Sequence, residues 1–419
     1  MIKMQDDNLI IAPNKYLTSR QARLVLLIAQ WIVNEREDAA KIKKMLSGQE
    51  LDWDKFNKLL AYHDLSSFAH SFFKDYLHLI PGRQIEELRN YHLFMLSRLI
   101  ELEKEFFKIA DIFADQGVDL LPLKGTAFLI DRLYGNLSGL RPMADIDILV
   151  KKEQLPRAEQ LAEALGYHKE LCGLNEDYWR KRNYHLIFTK KKNQKIFSIL
   201  EIHWLLDYPR ENPLLPDLWK RAIRIPGLKN EVNELSAEDT LFCLALHLRR
   251  FGNTLALKTA CDFARILIKY KDLDWDYILK QARSGRICAS FYFRLIQMKY
   301  FFNLRVPDSI LKGLSRPNYQ QGLIRRFILK DTFRDPGRKI SSIFLRHHFL
   351  AYDTFREPVS IIINIPQEQF AKFFELTPYG FKTLLLYRLR FLFFLYYLVK
   401  LLLNSTADKI TKVLKISQR

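Results

Sequence analysis

The sequence predicts a largely helical chain that carries one α/β or α+β sheet unit of about a hundred residues. Three observations predict it. Apolar residues recur at threes and fours from Ser19 to about Gln116, alternation replaces that period after Gly117, and helical spacing returns beyond Trp204.

The elements follow in order. Pro81-Gly82 separates two of the early helices, and Ile85 to Ala114 reads as one long helix, or two nearly collinear ones, ending before Gly117. Val118 to Leu123 is short, apolar and bounded by turn residues, so it predicts a strand. Lys124-Gly125-Thr126 then leads into helical spacing from Ala127 to Tyr134. A second strand spans Ala144 to Val150, and a helix from Glu153 to Leu165 is closed by Gly166. Tyr184 to Thr189 and Ile196 to Trp204 predict two more strands, joined through the polar turn Lys190–Lys195. Ser236-Ala237-Glu238-Asp239 has the pattern of a capping box, with Ser236 as the cap. Leu51-Asp52-Trp53-Asp54 and Leu273-Asp274-Trp275-Asp276 echo each other as helix caps.

A chain of 419 residues, 48% apolar and 27% charged, buries an ordinary core and is not disordered. The four cysteines are scattered without a CxxC pair, which predicts free thiols in a reducing compartment rather than zinc. The first residues have no signal-peptide core, and Leu24 to Val33 is too short to span a bilayer, so a cytoplasmic protein is expected. The net charge of +19 favours polyanionic partners: a nucleoside triphosphate, nucleic acid or an anionic membrane face. From Arg316 onward there are 18 Lys/Arg against 7 Asp/Glu, a net of +11, so more than half the surplus lies in the last quarter. There, Leu384 to Leu403 is rich in Leu, Phe and Tyr but interrupted by Arg388, Arg390 and Lys400. A spanning helix is costly with three cations. The run fits either a basic helix in the membrane interface or a buried docked helix.

The chemistry concentrates in the sheet unit. Asp145 and Asp147 flank Ile146, and in a strand such i, i+2 side chains share one face, ~6.6–7 Å apart at Cα. Like charges held so repel unless a cation sits between them, and two divalent ions ~3.5–4 Å apart would suit the pair. Gly125, where a strand turns into a helix, lets backbone N–H groups approach a phosphate, and Thr126 offers a hydroxyl to the same anion. Alternation in Leu200-Glu201-Ile202-His203-Trp204 puts Glu201 and His203 on one face. Glu201 there would supply a third carboxylate or a general base, and His203 would touch a metal-holding carboxylate or the substrate instead of the ion, because magnesium prefers oxygen. Lys124 and Arg141 flank the acids and are expected on the triphosphate. Lys258 and Asp262, at i and i+4, would contact base or acceptor or form an ordinary helix ion pair, and the ion pair is the simpler reading. His185 and His247 are assigned no role.

Leu123-Lys124-Gly125, Leu133-Tyr134, Arg141-Pro142, Asp145 to Val150, Gly166-Tyr167 and Glu201 to Trp204 occur in that order. The series resembles the uncharacterised bacterial nucleotidyltransferase family of the polymerase-beta-like superfamily, over roughly Trp53 to Trp275. The resemblance implies an α+β fold, a small mixed-sheet core flanked by N-terminal and C-terminal helical regions. It implies Mg²⁺-dependent transfer of a nucleoside monophosphate from NTP, with two ions. Asp145, Asp147 and Glu201 would be catalytic and metal-binding, and Lys124, Gly125, Thr126 and Arg141 nucleotide-binding. The expected organisation is a helical region over 1–116, the core over 117–210, a packed helical region over 211–315 and a basic helical region over 316–419.

Two other functions compete with an enzyme acting on a small molecule, a glycan or lipid-linked precursor, or a protein. One is a degenerate nucleotide-binding protein that docks on membrane through its basic C-terminus, at the inner face, with residues 384–419 against anionic lipid. The other acts on RNA, but there is no RNA module and the basic excess clusters with Leu and Phe.

Overall fold

A computed structural model of the protein describes residues 3–4, 19–36, 38–47, 51–171, 176–207, 217–226, 232–249, 256–314, 318–333 and short stretches between 350 and 392. The chain divides into two units, Met1–Ile340 and Ser341–Arg419.

The first unit opens with a two-residue strand β1 (Lys3–Met4) and five helices: α1 (Arg20–Asn34), α2 (Ala39–Ser47), α3 (Trp53–Tyr62), α4 (Ser66–Phe72) and α5 (Gly82–Asp115). Ser19 caps α1 by accepting the Ala22 N–H, and Leu24 to Val33 is buried throughout, as the apolar run predicts. Asp52 caps α3 in the same way through the Lys55 N–H. The expected long helix is α5. Its stripe Leu88, Met95, Leu99, Leu102, Phe106, Ile109 and Phe113 recurs at threes, fours and sevens and faces the core. The helix stops at Gly117, whose φ of +68° an L side chain resists.

The sheet unit follows: β2 (Leu120–Pro122), α6 (Lys124–Ile130), β3 (Ile146–Val150), α7 (Leu155–Ala164), β4 (His168–Glu170), α8 (Glu176–Arg182), β5 (His185–Lys192) and β6 (Lys195–His203). The α+β expectation holds: five strands run in the order β2-β3-β6-β5-β4, with β3 and β6 parallel and the other pairs antiparallel. Ile146, Ile148, Val150, Leu186, Phe188, Leu200 and Ile202 share one core with Leu99, Phe106, Ile109 and Phe113 of α5. Alternation therefore sends Asp147, Glu201 and His203 to the other face. β4 and α8 add to the predicted elements, because a three-residue strand is too short to show a period.

The β5–β6 turn is tighter than the polar run suggests. Only Asn193 and Gln194 lie outside the strands, both left-handed at φ of 51° and 62°, as a two-residue hairpin of primed type needs. The ladder then slips. Lys191 pairs with Ile196 but Lys190 pairs with Ser198, which leaves Phe197 as an extra residue. Arg98 of α5 donates to the Phe197 carbonyl, and its guanidinium lies 6.0 Å from the Phe197 ring centroid.

Beyond β6 come α9 (Leu218–Arg221), the β7 (Ile223–Arg224) and β8 (Asn233–Glu234) pair, α10 (Ala237–His247), α11 (Leu257–Lys269), α12 (Trp275–Ser284), α13 (Cys288–Phe301), β9 (Leu304–Arg305, paired with β1), α14 (Asp308–Gly313) and α15 (Asn318–Asp331). Ser236 and Asp274 cap α10 and α12 as predicted. The reciprocal half of the capping box is absent, because the Asp239 carboxylate takes Arg221 at 2.6–3.1 Å and the Tyr277 hydroxyl at 2.9 Å. Cys243, Cys261 and Cys288 are buried free thiols, and Cys172 lies outside the described residues. No helix among the described residues is long and apolar enough to cross a membrane. In the second unit, helices Arg356–Ile363 and Phe381–Arg388 are described, and residues 393–419 of the apolar C-terminal run lie outside the described set.

Glu234 on β8 is buried, which raises its carboxyl to about 8; the Asp131 charge adds to this and Lys269 opposes it. The folded chain therefore holds this proton more tightly than the unfolded chain. Its contribution to stability is full below the ordinary value of 4.5 and is lost as pH rises through about 8. Glu234→Gln is expected to match the parent's melting temperature near pH 4.5 and to exceed it by at least ~2 °C at pH 9. Thermal melts across that range check the widening gap.

Candidate active site

β3 and β6 are adjacent and parallel, and their register sets Asp147 directly opposite Glu201. Neighbouring strands lie ~4.8 Å apart, so the two carboxylates stand side by side on the face away from the core. His203 follows two residues on. Its Nε2 is 2.9 Å from Asp147 Oδ1 and 3.3 Å from Glu201 Oε2. Ligand atoms from Asp147, Glu201 and His203 all fall within 4.8 Å of one another, close enough to hold one metal ion. Of the three, Glu201 is the one that is partly exposed.

This donor group differs in one member from the three acids expected. Asp145 sits just before β3, half-buried at the edge of the cluster. Burial raises its carboxyl to about 6, with the Asp147 and Glu201 charges adding to the rise and Lys124 opposing it. For Asp147, burial also favours the neutral form, but the Lys124 ammonium and the His203 hydrogen bond outweigh it and hold the carboxyl well below the usual range. An ionised carboxylate only accepts hydrogen bonds, so His203 Nε2 carries the hydrogen in that contact.

Lys124 begins α6 with a left-handed φ of 48°, and its Nζ lies 2.5 Å from Asp147 Oδ1 and 3.9 Å from Glu201 Oε2. The next two residues turn inward. Thr126 is buried and its hydroxyl accepts the Asp147 backbone N–H at 2.9 Å, while the Leu123 N–H binds the Asp147 carbonyl at 2.9 Å. These two bonds fix the height of Asp147 against the turn. At Gly125, an added Cβ would lie 2.7 Å from Arg141 Nη1 and 2.9 Å from Met143 Sδ. Packing of these two side chains thus favours glycine here.

Arg141, expected on the triphosphate, is only 7% exposed, and its guanidinium is engaged inside the protein. Its Nε and Nη2 each lie 2.7 Å from the Asp262 carboxylate, to which the buried Tyr134 hydroxyl also donates. The expected i, i+4 pair on α11 is therefore not formed. Asp262 points into the interior and needs a buried partner, and Lys258 reaches Asp64 at 2.9 Å instead.

Sequence reasoning missed His185. On β5 it lies opposite His203, their rings stacked 5.0 Å apart, with His185 Nε2 3.9 Å from Glu201 Oε2. The slip at Phe197 makes this pairing. Counted back from Lys192↔Lys195 without it, His185 would face Ile202 on the core side. Tyr184 stacks on His203 as well, with centroids 5.7 Å apart.

Asp262→Ala is expected to cost ~3–5 kcal/mol, because it strands the buried Arg141 charge. Lys258→Ala, which removes a partly exposed pair, is expected to cost ~0–1 kcal/mol. Denaturant unfolding of both variants tests the contrast.

Residues 49–303 match the family described as uncharacterised nucleotidyltransferase. No curated protein and no solved structure matches the chain.

Proposed function

The chain belongs to the uncharacterised nucleotidyltransferase family, and on that premise we propose that it transfers a nucleoside monophosphate from an NTP, such as ATP, to a hydroxyl-bearing acceptor. The observation that carries this reading is the register of Asp147 against Glu201, two carboxylates on adjacent parallel strands with His203 beside them.

Asp147 and Glu201 would hold a divalent cation, with Asp145 at the edge supplying a further oxygen for a second ion. The expected ion is Mg²⁺, which would offset negative charge on the transferring phosphoryl group. His203 donates to Asp147 and so orients the carboxylate. Lys124 is the cation nearest to where a triphosphate would lie beside the acids. Gly125, Thr126 and Arg141 act from behind it: Thr126 fixes Asp147, and Arg141 packs on Gly125. Glu201 reaches solvent, so it can take the proton of an incoming acceptor hydroxyl. The hydroxyl oxygen then bonds to the α-phosphorus, the bond to the β-phosphate oxygen breaks, and pyrophosphate leaves.

Exposed Phe381, Leu384, Leu385, Leu389, Phe391 and Leu392 alongside Lys382 and Arg388 support a peripheral contact of the second unit with anionic lipid. Flotation with anionic liposomes that is lost on deleting 384–419 tests it.

For the reaction, purified protein with Mg²⁺ and labelled NTPs is expected to transfer label to an acceptor or to itself. Asp147→Asn and Glu201→Gln should each lower the rate at least ~100-fold. Tight NTP binding without turnover across broad acceptor sets would instead establish a non-catalytic nucleotide-binding protein.

A further inference from the structure

Lys124 makes two kinds of contact with one carboxylate cluster: an ion pair of 2.5 Å with Asp147 and a longer one of 3.9 Å with Glu201. Its side chain is only 10% exposed, so the ammonium is drawn off the surface and into the acids. The backbone is bent to put it there. A φ of 48° at a non-glycine residue costs ~1–2 kcal/mol. The turn is then clamped on both sides, by Leu123 and Thr126 to the Asp147 backbone and by Gly125 against Arg141. These contacts fix the lysine's Cα, so any change of partner at its ammonium is made by rotation about the four-carbon stem.

We propose that Lys124 is a built-in counter-ion that holds the carboxylate site until a divalent cation binds, then releases Asp147 and turns its ammonium to the anionic end of the triphosphate. This rests on the metal-dependent reading above and gives it an order. Two cations cannot share Asp147 Oδ1 at contact distance without strong repulsion. Metal loading therefore frees the lysine, and the freed charge raises affinity for the triphosphate. The nucleotide-free chain is protected meanwhile from holding three bare carboxylates together.

The two ligands should respond to loss of the charge in opposite directions: Asp147 without its ion pair takes the cation more readily, and the triphosphate loses a cationic contact. Lys124→Met keeps most of the stem and removes the ammonium. Mn²⁺ is titrated into nucleotide-free, full-length protein, and free ion is followed by its electron paramagnetic resonance signal. Lys124→Met is expected to bind Mn²⁺ ~10-fold tighter than the parent, and to bind inorganic tripolyphosphate, measured in the presence of Mn²⁺, ~5-fold more weakly. Lys124→Gln, checked by thermal melting, serves where the methionine variant does not fold. Unchanged or weaker Mn²⁺ binding in the variants would overturn the exchange and leave the metal site standing. Absence of Mn²⁺ binding in parent and variants alike would overturn the metal reading and the exchange with it.

Discussion

Carboxylates held side by side on a largely buried sheet face have to be neutralised, or folding pays their desolvation and repulsion in full. Asp147 and Glu201 are in that position because β3 and β6 run parallel in fixed register. The arrangement around them answers this demand. Lys124 approaches from the α6 turn, His203 donates from the same strand as Glu201, and Asp145 at the edge is pushed toward its protonated form. The core on the opposite face keeps the register from slipping, since a one-residue shift would drive the acids among Ile146, Ile148, Leu200 and Ile202.

Support for the site extends well past the sheet. Asp262 belongs to α11, more than fifty residues beyond β6, yet it holds Arg141, which in turn packs on Gly125 next to Lys124. A buried bidentate pair is weak evidence of net stability, but it is specific in direction and position. It ties the turn carrying the lysine to the helical layer that follows the sheet. The stretch that matches the family, 49–303, takes in both ends of this connection.

Much of this was legible in the chain. Alternation is strict wherever one face of a strand is core, so Asp147, Glu201 and His203 could be placed on one side from sequence alone. Caps were equally plain at Asp52, Ser236 and Asp274, because a cap is a local contact between near neighbours. What depended on distant partners was not legible. Asp262 looked like half of a surface pair because helical spacing reports faces and not what packs on them, and Asp239 likewise abandoned its box for Arg221 and Tyr277. For His185, alternation with Leu186 and Phe188 gives the face, but its place opposite His203 was hidden by a slip in the ladder that no residue type announces.

That slip gives the hairpin an arithmetic of its own. Phe197 is the odd residue between two even-stepped strands, and Arg98 secures its carbonyl from the helix beneath. Which β6 residue each β5 residue meets is therefore decided by a count, while the apolar Leu186 and Phe188 fix which face is core. Without the extra residue the count from the turn would set His185 against Ile202 and Leu186 against Glu201, mixing apolar with polar on both faces, so the bulge is what lets the hairpin turn and the core agree.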